Sequence, residues 1–178
     1  GMLTRRDFMA SATALTVLPS AGLAAPRVLR AGASTRQIAP ERFEPTALWT
    51  FNDTLPGEAL RFVQGGRAEI AVRNDLAQPT SVHWHGLRLD NAMDGVPGLT
   101  QAPIAPGETF DYAFGLPDAG TYWYHSHAQS VEQVERGLYG PLIVEERDGG
   151  PDVDQDLTLM LDDIRLDESA QIATGFDN

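Results

Sequence analysis

From residue 27 onward, apolar and polar positions alternate over short runs, and Gly or Pro falls between the runs. Period-two alternation puts every second side chain on one face of a strand. The clearest case is RAEIAVRN over 67–74, where Ala68, Ile70 and Val72 alternate with polar neighbours. Further strands are predicted at 47–52 (ALWTFN), 59–63 (ALRFV), 108–116 (ETFDYAFGL) and 141–146 (PLIVEE). TSVHWHG over 80–86 and TYWYHSH over 121–127 fit the same period. The pairs Gly65-Gly66 and Gln78-Pro79 and the stretch PDAG at 117–120 supply turns. One segment departs from the rule: SVEQVERG, 130–137, reads as a short helix stopped by Gly137. Many short strands with Gly and Pro punctuation predict an all-β Greek-key sandwich or barrel.

Past Val144 the pattern changes. Residues 145–178 hold eleven acids and two arginines. Residues 147–156 read as a solvated acidic linker. LTLMLDDI, 157–164, then looks like a fresh buried strand opening a second, incomplete domain that runs to 178. The expected main domain is therefore 27–146. No solenoid-period repeat is present.

Composition narrows the function. The formal charge is −12 and there is no lysine, so no basic stripe exists to neutralise phosphates, and nucleic acid is a poor partner. No window is long and apolar enough for a membrane span. Arg5 and Arg6 precede a weakly apolar stretch and the small residues Ala24 and Ala25. That layout predicts a cleaved twin-arginine signal over 1–25, and hence a periplasmic or secreted protein. There is no cysteine, so neither a disulfide nor a thiolate metal ligand is available.

All four histidines fall in two His-x-His pairs: His83 and His85, then His125 and His127. On strands, each pair would project both rings from one face, with Trp84 and Ser126 turned to the other. A single such pair is commonly packing or surface chemistry. Two pairs that use every imidazole in the chain point to a metal, and neutral imidazole suits copper, zinc, iron or nickel. Without cysteine a blue-copper site cannot form within this sequence. Asp94, next to Gly95, has the composition of an ordinary turn. Gly86, after the first pair, fits a turn or a close backbone approach.

HWHGL, MDGVPGLTQAPIAPG, GTYWYHSH and GLYGPLIV, taken in order, resemble the N-terminal domain of the multicopper oxidases over about residues 45–146. The resemblance implies a cupredoxin-like β-sandwich and copper. It implies that His83 ligates a type 2 copper, that His85, His125 and His127 ligate paired type 3 coppers, and that Asp94 relays protons beside them. In that family eight histidines in four pairs hold a trinuclear cluster, and a type 1 copper in the last domain takes electrons from the substrate. The cluster passes four electrons to O2. The expected partners are therefore O2, a phenol or metal-ion electron donor, and a C-terminal cupredoxin domain or another subunit carrying the other four ligands. Residues 157–178 resemble the opening of the second domain. By itself the 178-residue chain is expected to be inactive. A copper nitrite reductase-like enzyme would need a type 1 cysteine in this domain, and a non-catalytic cupredoxin scaffold would not need all four histidines.

Overall fold

A computed structural model describes residues 27–176; the twin-arginine segment at 1–25 lies outside them. Among these residues, eight strands form two four-stranded sheets. The first sheet has the order β2 (Thr46–Phe51), β1 (Arg27–Arg36), β4 (Arg67–Asn74), β6 (Thr109–Gly115). The second has the order β3 (Leu60–Val63), β8 (Tyr139–Glu145), β7 (Gly120–His125), β5 (His83–His85). The chain crosses between sheets repeatedly, and two non-local parallel pairings, β1 with β4 and β3 with β8, complete the Greek-key arrangement. Among the described residues, one short α-helix, α1, spans Ser130–Glu135, and a single 3-10 turn covers Asn91–Met93.

Alternation decides which side chains enter the core. Ala68, Ile70 and Val72 of β4 are buried, as are Leu29 and Ala31 of β1 and Tyr112 and Phe114 of β6. β1 is the strand whose sequence, RVLRAGASTR, shows alternation least, because its inward positions include small residues. Trp84 of β5 is fully buried and reaches across the sandwich to the other sheet. Its ring lies 5.2 Å from Tyr112 and 5.2 Å from Phe114, with Tyr124 at 6.1 Å. Tyr112 also accepts the Val82 N–H on its hydroxyl at 3.1 Å. Burial pushes that phenol up to about 12, so it stays neutral. The consequence for β5 is parity: with Trp84 inward, His83 and His85 must point the other way.

The expected strand at 157–164 is not formed. Those residues pair with nothing, and Leu157, Leu159 and Leu161 are 74, 83 and 91 % exposed. A strand needs a neighbour to satisfy its backbone, and the segment is hydrogen-bonded into neither sheet. Residues 166–172 instead fold into a turn closed by the Leu166–Ile172 bridge. This turn rests on β2: the Thr46 hydroxyl donates to the Ala170 carbonyl at 2.8 Å, and the Ala47 N–H donates to the Gln171 side chain at 2.9 Å.

Candidate metal centre

β5 and β7 are antiparallel, in a register that sets His83 directly opposite His125 and His85 opposite Trp123. Cross-strand neighbours on one face approach closely, so this register brings the two histidine segments together. β7 ends at His125, so His127 lies just beyond the strand rather than on it. All four rings nevertheless gather at one place. From His83, the ring centroids of His85, His125 and His127 lie at 5.6, 5.4 and 5.4 Å. One ligand nitrogen each from His83, His85 and His125 lies within 4.8 Å of the others. The interleaved residues Trp84 and Ser126 are buried on the far side.

Backbone carbonyls set two of the rings. His83 Nδ1 sits 2.7 Å from the Asp94 carbonyl oxygen, and His125 Nδ1 sits 2.8 Å from the Ser126 carbonyl oxygen. A carbonyl can only accept, so in both rings Nδ1 carries the hydrogen and Nε2 presents its lone pair to the cluster. His85 Nδ1 approaches His125 Nε2 at 3.4 Å. Two nitrogens bound to one ion at about 2 Å each stand roughly 3–4 Å apart, so this spacing suits a shared metal. His125 is also stacked on Trp123, centroid to centroid 4.1 Å at 27°.

Protonation favours ligation. His125 is buried, and burial pushes its pKa down to about 4, helped by the three neighbouring imidazoles and opposed by the bond to Ser126. At neutral pH this ring is uncharged, as a ligand must be. His83 is half-buried, while His85 and His127 are exposed and face outward. Three imidazole nitrogens, from His83, His85 and His125, thus lie close enough to share an ion on one open ledge, with the His127 ring beside them, and imidazole suits copper.

The structure brings Asp94 to the cluster in a particular way. Its carbonyl, not its carboxylate, makes the close contact; the nearer carboxylate oxygen lies 3.5 Å from His83 Nδ1. Gly95 makes this apposition feasible. A Cβ there would lie 1.8 Å from the Val82 carbonyl oxygen, and its φ of +76° favours glycine. Gly86 adopts φ +86°, which turns the chain sharply out of β5. The orienting carbonyls of Asp94 and Ser126 and the Trp123 stack could not be assigned from residue types. The only trace of the first is the glycine that follows Asp94.

Comparison with known proteins bears on the family and the fold. A family model described as multicopper oxidase matches residues 33–149. Among curated relatives, copper resistance protein A of Pseudomonas syringae pv. tomato is 47% identical over 113 residues, which is 63% of this chain and 18% of the relative. Multicopper oxidase MmcO of Mycobacterium tuberculosis is 42% identical over 114 residues, 64% of this chain and 22% of the relative. Among solved structures, Lac15 from a marine microbial metagenome superposes with a TM-score of 0.77 at 52% identity, covering 84% of this chain and 39% of that one. A multi-copper oxidase from Pseudomonas thermotolerans gives 0.79 at 40% identity, covering 85% and 36%. The chain therefore spans about a fifth of the length of these curated relatives.

Proposed function

The chain belongs to the multicopper oxidase family, and we propose that it is the first cupredoxin domain of an exported copper oxidase, supplying half the ligands of a trinuclear copper cluster. The observation that carries this reading is the four-ring cluster, in which two rings are pinned through Nδ1 so that Nε2 faces the shared space. His83 is assigned to the type 2 copper, and His85, His125 and His127 to the type 3 pair. The 3.4 Å approach of His85 and His125 favours one ion held between these two.

When bound, such a cluster supplies the four electrons that convert O2 to water, drawn from a phenol or metal-ion donor. What this chain contributes is placement. Rigid strands fix His83, His85 and His125, and the carbonyls of Asp94 and Ser126 fix the orientation of two rings. The Asp94 carboxylate, beside His83 and partly open to solvent, is assigned to organising water and relaying protons beside the cluster. The remaining ligands are assigned to a C-terminal cupredoxin domain or a second subunit, seated over the open side of the ledge.

Residues 27–146 are taken as the domain proper, 147–156 as linker and 157–178 as the start of a second domain. The exposed leucines at 157, 159 and 161 favour the last assignment, because they are spaced to enter a further sheet. No helix among the described residues is long and apolar enough to cross a membrane. Arg5 and Arg6 support export of the folded chain to the periplasm or beyond.

Copper titration followed by electron paramagnetic resonance tests the site. The 178-residue chain should bind Cu2+ weakly and incompletely through imidazole nitrogens, and a protein extended to include the other ligands should bind it tightly. In that longer protein His85→Ala should abolish O2 consumption and leave the type 1 blue absorption. Undiminished oxygen uptake would refute the assignment.

A further inference from the structure

Behind the histidine ledge lies a polar cluster that no ligand requires. Gln133 is the one buried residue of α1 and is fully inaccessible, in a position where an apolar side chain would ordinarily pack. Its amide oxygen accepts from the Thr80 hydroxyl at 2.7 Å and from the Ser126 hydroxyl in a short bond. Its amide nitrogen donates to the Pro79 carbonyl at 2.9 Å. Thr80 and Ser126 are themselves fully buried. Ser126 also accepts the Ala128 N–H on its hydroxyl at 3.3 Å, where the chain turns after His127.

These contacts join the two histidine segments from the rear. Pro79 and Thr80 lie just before His83, and Ser126 lies between His125 and His127. The Ser126 carbonyl is the group that accepts from His125 Nδ1. A buried amide with all these partners holds them in one arrangement, because any shift leaves polar groups unpaired away from water. We propose that Gln133 is a positioning residue for the metal centre, fixing the Ser126 carbonyl, and through it the His125 ring, relative to the His83 segment. This rests on the reading that these histidines hold copper. The tautomer of the His125 ring does not depend on that reading and can be measured without metal.

The test uses the 178-residue chain with 15N-labelled histidine. In the metal-free protein, long-range 15N–1H correlation should show His125 as the Nδ1–H tautomer. In Gln133→Met, which keeps the length of the side chain and removes the amide, the His125 signals should move to an average of both tautomers. Cu2+ affinity should fall about tenfold or more, as is usual when a group that orients a ligand is lost, with altered copper hyperfine splitting. Leu29→Ala, in the core of the other sheet, is the control for simple loss of stability. It should lower the melting temperature while leaving both the tautomer and the affinity as in the parent chain. If Gln133→Met does not fold, Gln133→Asn replaces it, since its shorter amide cannot reach all three partners. Retention of the Nδ1–H tautomer in the Gln133 variant overturns the proposal. So does an equal loss of tautomer and affinity in Leu29→Ala. A parent chain that binds no copper would defeat the site reading instead, and the tautomer comparison would still decide the role of Gln133.

Discussion

Two stretches of this chain repeat one residue type at every second position, and they end differently. In β5 the histidines at 83 and 85 flank a tryptophan that is fully buried against the opposite sheet. In 157–161 the leucines flank Thr158 and Met160, and all three leucines stand in solvent. The alternation is equally regular in both. What differs is the intervening residue, which in β5 has a core to enter and in the tail does not. Parity along a strand is therefore set by what the other face buries. The histidine ledge is a by-product of where Trp84 goes.

The sharpest way to break this contrast is Trp84→Ala. Loss of a fully buried tryptophan should cost about 3–5 kcal/mol of folding free energy, measured by urea denaturation, and Cu2+ binding should disappear with it. If the ledge kept its copper affinity after that loss, the inward ring would not be what aims the histidines. Gly95→Ala comes next. Its added Cβ collides with the Val82 carbonyl at a positive φ, so the Asp94 loop must move. A loss of about 1–3 kcal/mol is expected, together with release of the His83 ring in nuclear magnetic resonance spectra.

The pH dependence of the metal-free chain gives a third comparison. His125 has a folded pKa of about 4 against an ordinary value of 6.5, so between these values the unfolded chain binds more protons. Its contribution to stability is complete above pH 6.5 and is lost as pH falls towards 4. The urea midpoint should therefore decline over that window in the parent chain, and less so in His125→Phe. Equal declines in the two would contradict the buried neutral ring. The smallest effect belongs to the tail. Replacing Leu157, Leu159 and Leu161 together by serine should change the stability of the 178-residue chain by no more than about 0.5 kcal/mol, in contrast to Trp84. A large loss would show that these leucines pack against the sandwich in solution.

Much of the sandwich can be read from the sequence. Segments 67–74 and 108–116 alternate cleanly and correspond to β4 and β6, and the apolar run at 47–52 corresponds to β2. The helix read at 130–137 corresponds to α1 at Ser130–Glu135. β1 is harder to see, because its buried face includes Ala31 and its exposed face includes Val28. Residues 157–164 mislead for the opposite reason, having the right letters but no strand hydrogen-bonded to them. At the site, the convergence of the four rings follows from one His-x-His pair on β5 and a second at the end of the adjacent β7, with His127 just past the strand. Other parts leave no such mark. The Asp94 and Ser126 carbonyls belong to the backbone, which has no side-chain signature. Gln133 looks like one more polar residue on a short surface helix, and only burial reveals it.

The pairing of β3 with β8 has a consequence for how the protein is made. It sets Leu60 beside Leu142, and β8 is also the strand against which β7 is laid. Sheets built from such distant segments form late and comparatively slowly. A ribosome must have released nearly all of residues 27–145 before the second sheet, and with it the histidine ledge, can be complete.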